Sequence, residues 1–218
     1  MRYRAVIFDL WQTLVPFPTQ SAHDAQAALA RAFGTEDHER FSEVWVRRRR
    51  EREIGPIEPH LRSIADELGV TCDLEAVITM RREWTFKSLV PRDDALPTLA
   101  ELRRRGHRLG MISACSEDVS DVWERTPLGG VFDSIVFSAT VGFSKPDPRI
   151  YAVVCDELGV QPAECLFVGD GANDELPGAE RAGMTAVQLR APGEGLTPEG
   201  ERWQGRYVER LSDVLELA

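Results

Sequence analysis

The chain has 218 residues, 43% hydrophobic and 28% charged, which suits one α/β unit with a buried core and room for a small insert. Its formal charge of -10 and pI near 5.0 argue against nucleic acid as a partner, so an anionic ligand must meet a local cation or a metal. No apolar run approaches the roughly 20 residues that span a bilayer, and Asp9 interrupts the only apolar stretch near the N-terminus, so neither a membrane span nor a signal-like segment is expected.

Tyr3 to Phe8 is a short, partly β-branched apolar run and reads as a buried parallel strand that ends at Asp9. Val15-Pro16-Phe17-Pro18 then breaks regular structure. Helical patterns follow over Ser21–Phe33, Glu36–Arg52, Pro59–Leu68 and Asp73–Leu89, with Gly55-Pro56 and Gly69 as stops. Four helices placed between a first strand and the rest of an α/β unit read as an inserted cap over 17–90, hinged at Pro16–Pro18 and Val90-Pro91.

From Arg92 the pattern alternates. Helices are expected over Asp94–Arg105, Glu117–Arg125, Pro148–Leu158 and Asp174–Ala182, and strands over His107–Ser113, Ser134–Ser138, Cys165–Gly169 and Thr185–Leu189. Gly193–Arg206 reads as a loop, Tyr207-Val208 as a short strand, and Ser212 as the start of a last helix. Such alternation implies a Rossmann-like α/β core with a parallel sheet, built from 1–16 and 91–218. Cys72, Cys115, Cys155 and Cys165 form no CxxC pair, which fits free thiols and a cytoplasmic setting.

Open parallel sheets bind ligands at the carboxyl ends of their strands. There the scheme gathers Asp9, Ser113, Lys145 in the loop 142–148, and Asp170 with Asp174. A carboxylate nucleophile, a hydroxyl, a cation and an acidic pair form a phosphoryl-transfer set. Asp9 would attack phosphorus, Asp9 and Asp170 would hold Mg²⁺, and Lys145 with Ser113 would hold the remaining oxygens. Lys87 and Lys145 are the only lysines in an arginine-rich chain, so a lysine at 145 reads as chosen for its compact charge.

These segments resemble the four motifs of the haloacid dehalogenase (HAD) superfamily, in the subclass with a helical cap after the first motif. Phe8-Asp9 through Thr13-Leu14 resembles the first motif, which reads DxDxT in family phosphatases, and Gly110–Ser113 the second. Ser144–Pro148 resembles the third, and Phe167–Asp174 the fourth. The resemblance implies that Asp9 is the nucleophile and that Ser113, Ala114 and Lys145 contact substrate. It also implies a Mg²⁺ site from Asp9, the Trp11 main-chain carbonyl, Asp170 and Asp174, and a small phosphorylated metabolite as substrate. A monomer or homodimer is expected.

Trp11 departs from the pattern, because family phosphatases carry there the acid that protonates the leaving group and activates water. General acid–base catalysis is worth ~10²–10⁴ in rate, so the second half-reaction is the step this substitution weakens. Two alternatives follow from the resemblance. In 2-haloacid dehalogenases the position is aromatic, no metal is needed, and a cap arginine binds substrate, for which Arg47–Arg50 are candidates. Phosphonate-cleaving relatives use a cap lysine, for which Lys87 is the only candidate. A third reading is a non-catalytic binding protein of the same fold. The acidic pair favours the phosphatase, since two carboxylates beside Asp9 without a cation would repel it.

Plainer readings apply elsewhere. Arg47–Arg50 point all round a helix, so one or two at most can face a substrate. Ser113 or Ser116 can serve as a cap, Asp174 as a helix-start carboxylate, and Trp45, Trp84 and Trp123 as core. His23, just past the first hinge, is a candidate substitute for the missing acid. His38, His60 and His107 are scattered and suggest no metal site.

Overall fold

The computed structural model describes the backbone of residues 2–16 and 19–218, and the side chains of 2–16 and 25–218. Phe17 and Pro18 of the expected first hinge, and the side chain of His23, lie outside the described residues. Among these residues six strands, β1 Ala5–Phe8, β2 Arg108–Ser113, β3 Ser134–Phe137, β4 Cys165–Gly169, β5 Thr185–Leu189 and β6 Tyr207–Val208, form one parallel sheet in the order β3-β2-β1-β4-β5-β6. This is a Rossmann-like α/β fold.

Helices follow in chain order. α1 Thr19–Ala32, α2 His38–Arg47, the one-turn α3 Arg49–Arg52, α4 Ile57–Leu68 and α5 Leu74–Ser88 form a helical block between β1 and β2. Next come α6 Ala95–Arg104, α7 Glu117–Val122, the one-turn α8 Ser138–Val141, α9 Pro148–Leu158, α10 Glu175–Arg181 and the short α11 Pro198–Glu201. The single helix expected over Glu36–Arg52 is broken at Arg48, whose backbone leaves helical geometry. The expected loop 193–206 contains α11, capped by Thr197, whose hydroxyl accepts the Gly200 N–H.

Strand alternation builds a core on each sheet face. Val6, Phe8, Leu166 and Val168 point into one cluster, and Ala5, Ile7, Cys165 and Phe167 into the other. The helical block has its own cluster around Phe33, Phe41, Leu61, Ile64 and Val77. Fully burying each such side chain is worth about 1.5–3 kcal/mol. Arg92 fastens the two crossings between block and sheet. Its guanidinium donates to the carbonyls of Thr13 and Gln12, and its N–H to that of Leu14. No helix among the described residues is long and apolar enough to cross a membrane.

Candidate active site

β1 lies between β2 and β4, where the sheet order reverses direction from the first strand, so its carboxyl end opens a crevice. Phe8 is in register with Met111 and Val168, and the Asp9 N–H donates to the Val168 carbonyl at 2.8 Å. That register sets Asp9 beside the turn after β4, which carries Asp170. Gly171 shapes that turn with a φ of +98°, a conformation that favours glycine, and a Cβ there would sit 2.8 Å from the Gly200 Cα.

The buried Lys145 amine joins these pieces. It donates to Asp9 Oδ1, to Glu175 Oε2 at 2.5 Å and to the Ile112 carbonyl at 3.3 Å. Burial alone would lower its pKa, but Asp9 and then Glu175 overcome that and hold it above the ordinary lysine range. Carboxylate oxygens of Asp9, Asp170 and Glu175 all lie within 4.8 Å of one another. Asp170 Oδ2 is buried with no hydrogen-bond partner among the described residues. Burial, and next the charge of Asp9, push Asp170 up to about 6, and the same two causes in the same order raise Glu175.

Three carboxylates against one ammonium leave an excess of negative charge, and the orphaned oxygen of Asp170 is one more donor than the protein uses. This all-oxygen set fits a hard dication such as Mg²⁺, whose ligands sit about 2.0–2.1 Å from the ion. Asp174, expected beside Asp170, is not part of the cluster. Asn173 and Asp174 both adopt left-handed backbone, with φ of +56° and +53°, and α10 starts one residue later than expected. Asp174 is therefore turned outward to Arg202 at 3.2 Å, and Glu175 is the residue buried at the site. Gly169 is the local reason Glu175 fits, since a Cβ there would lie 2.1 Å from Glu175 Oε1.

A cavity of about 430 Å³ opens over these groups, between the sheet edge and the helical block. Asp9, Trp11, Lys145, Asp170, Glu175 and Ala114 line it from the sheet side. Ser113 ends β2 next to Ala114 in the chain and is fully buried, with its Oγ unpartnered among the described residues. Trp45, Arg49, Arg52, Glu53, Arg81 and Trp84 line it from the block. Trp45 and Trp84 thus face the cavity, whereas Trp123 is core.

Of Arg47–Arg50 only Arg49 reaches the cavity. Arg47 and Arg48 pair with Glu67, and Arg50 is exposed. Lys87 is exposed and lines a different cavity, with Val90 and Arg92. His107 is a buried structural residue bonded to the Tyr3 carbonyl, and His60 lies against that of Ile54.

The block is fastened over the cavity at several points. Arg49 donates to Asn173 Oδ1 at 3.0 Å, the Gly55 N–H to the Ala139 carbonyl, and Ser138 Oγ to the Glu53 carbonyl at 2.7 Å. A buried network joins α5 to α7, in which Arg81 and the Thr85 hydroxyl both donate to Asp118. Burial would raise Asp118, yet Arg81 together with the Ser116 and Thr85 hydroxyls more than offsets this and holds its carboxyl below the usual range. Sequence reasoning missed Glu175, Arg52 and this network. The only signal for Glu175 was its place as a carboxylate at the very start of a helix.

A family model described as haloacid dehalogenase-like hydrolase matches residues 3–183. The chain is 31% identical over 199 residues to a glyceraldehyde 3-phosphate phosphatase of Methanopyrus kandleri, covering 86% of this chain and 84% of that protein. It is 28% identical over 230 residues to (S)-2-haloacid dehalogenase 4A of Burkholderia cepacia, covering 98% and 94%. In fold it resembles a crystal structure of a HAD phosphatase from Thermococcus onnurineus, with a TM-score of 0.71, 24% identity and coverage of 98% and 97%.

Proposed function

Because the chain belongs to the haloacid dehalogenase-like hydrolases, we propose that it is a Mg²⁺-dependent phosphatase for a small phosphorylated metabolite, with residues 17–90 acting as the cap over a core of 1–16 and 91–218. The observation that carries this reading is the buried triad of Asp9, Asp170 and Glu175 around an unpartnered Asp170 oxygen. Phosphatases among the relatives agree with it.

Asp9 attacks the phosphoryl group and forms an aspartyl-phosphate while the alcohol leaves, and water then releases phosphate from Asp9. Lys145, fixed between Asp9 and Glu175, orients the nucleophile and stabilises negative charge on the transferring oxygens. Ala114, on the cavity wall, and its chain neighbour Ser113 supply the second-motif contacts in this reading. Asp9, Asp170 and the Trp11 carbonyl would hold Mg²⁺, with Glu175 beside them holding Lys145, and the ion would neutralise phosphoryl charge. Trp11 brings no proton-transfer group, so breakdown of the aspartyl-phosphate is the slow step. Release of phosphate from a panel of phosphomonoesters, dependent on Mg²⁺ and abolished by Asp9→Asn, tests the proposal. No release from any member of the panel defeats it.

A second reading has its own observation. Trp11 is aromatic, and Lys145 already pairs with both Asp9 and Glu175, so Asp9 has a cationic partner before any ion binds. Under this reading Asp9 displaces halide from a 2-haloacid. Chelator-resistant halide release from 2-chloropropionate, unchanged by Asp170→Ala, would establish it over the phosphatase.

A further inference from the structure

The wall that α2, α3 and α5 contribute to the cavity carries more positive charge than it compensates. Arg52 is 5% exposed, and among the described residues it forms no ion pair. Its guanidinium lies 3.6 Å from the centre of the Trp45 ring and donates to the Trp45 carbonyl at 2.6 Å. Arg81 lies 4.9 Å from the same ring, and its buried Nε has no hydrogen-bond partner among the described residues. Burial, and then the neighbouring Arg81, push Arg52 down to about 9, more than Glu53 and Asp118 raise it.

The charged groups facing this wall are Arg49, Arg52 and Arg81 against Glu53 and Asp118. Glu53 is 3.5 Å from Arg49, and Asp118 is taken up by Arg81, Thr85 and Ser116. One positive charge is left over, and it sits at Arg52. A buried ion without a partner costs several kcal/mol, so a protein that keeps one on a cavity wall has a use for it. All of this lies on the same cavity as Asp9 and Lys145.

We infer that this wall is a second anion subsite, and that the substrate is a small phosphorylated acid whose carboxylate is received by Arg52, with Arg49 and Arg81 beside it. The inference rests on the phosphatase reading and extends it to the substrate class. The single uncompensated charge matches a monoanionic carboxylate rather than a second phosphate dianion. The planar guanidinium fork also fits a carboxylate with two parallel hydrogen bonds. Trp45 and Trp84 add aromatic surface to the same cavity.

Calorimetry with non-hydrolysable analogues, at fixed Mg²⁺, tests the subsite without turnover. Phosphonoacetate should bind at least tenfold more tightly than propylphosphonate, which lacks the carboxylate, and tighter than methylenediphosphonate, which carries a second phosphonate. In Arg52→Gln, shown to be folded by its thermal melt, the preference for phosphonoacetate should disappear. The wild-type comparison stands on its own if that variant does not fold. Equal affinity for phosphonoacetate and propylphosphonate overturns the subsite, as does a preference that survives Arg52→Gln, and tighter methylenediphosphonate binding overturns the carboxylate. A phosphonoacetate preference without hydrolysis of 2-phosphoglycolate or any other phosphomonoester would instead defeat the phosphatase reading and leave the subsite standing.

Discussion

Asp170 should make the metal-free protein less stable at neutral pH, and removing its charge should repair this. Burial and Asp9 raise its pKa from 3.8 to about 6, so the folded state holds this proton more tightly than the unfolded chain. The stabilisation from the bound proton is fully present below the unfolded value and is lost as pH rises through about 6. The difference corresponds to about 3 kcal/mol. Asp170→Asn keeps an oxygen for the Ala172 N–H and removes the charge. In chelator at pH 7.5 the variant should therefore unfold later than wild type by up to about 3 kcal/mol, or about 6–12 °C in Tm for a chain of this size. The gap should close towards pH 4, where the wild-type carboxyl is protonated. Adding Mg²⁺ should raise the wild-type Tm and leave the variant unmoved. Thermal melts at both pH values, with chelator and with Mg²⁺, measure all of this. A metal-free variant no more stable than wild type at pH 7.5 would refute the claim that Asp170 is held against an electrostatic penalty.

Lys145→Met leaves the Asp9 and Glu175 carboxylates buried without their cation, so we expect a loss of about 3–5 kcal/mol in urea unfolding at pH 7 and turnover reduced by two orders of magnitude or more; near-normal activity would remove Lys145 from the mechanism. Gly169→Ala places a Cβ 2.1 Å from Glu175 Oε1, so Glu175 must give up Lys145 and the Gly171 N–H. We expect about 1–3 kcal/mol of destabilisation and a clear fall in kcat, whereas wild-type kcat would show that Glu175 does not matter. Trp11→Asp supplies the absent acid, and breakdown of the aspartyl-phosphate, followed as the rate after a burst of alcohol release, should accelerate towards the ~10²–10⁴ typical of general acid–base catalysis. An unchanged post-burst rate would mean that another group already transfers the proton.

The sheet was legible because each strand is a short apolar run bounded by turn residues, and alternation with helices leaves few topologies. The meeting of Asp9 and Asp170 followed directly, since each lies just beyond a strand end, and Lys145 joins them from the loop between α8 and α9. What stayed hidden depends on single backbone angles. Asp174 and Glu175 are adjacent carboxylates, and only the left-handed geometry of Asn173 and Asp174 decides which turns inward. Arg52 was hidden in the same way. An unbroken helix over Glu36–Arg52 gives no reason to single it out, but the break at Arg48 starts a new turn that lays Arg52 on Trp45. The run Arg47–Arg50 drew attention because it is dense, yet three of its four members face solvent or Glu67.

Charge arithmetic at the site decides how much weight Trp11 carries. With Lys145 as the one ammonium, three ionised carboxylates would leave two net negative charges in a buried space, an arrangement that raises both Asp170 and Glu175. That excess can be relieved in two ways, by protons or by a dication. Relief by protons keeps Lys145 as the partner of Asp9 and suits attack on an uncharged carbon. Relief by a dication keeps all three carboxylates ionised and adds the positive charge that a phosphoryl dianion needs before an anionic nucleophile can approach it. Trp11 adds no charge to either arrangement. It governs the later transfer of a proton to the leaving group and from water, whereas Asp170 and Glu175 govern the first attack. An aromatic residue at 11 is therefore compatible with slow breakdown of a phosphorylated Asp9, and the phosphatase reading stands or falls on the buried acids beside Asp9.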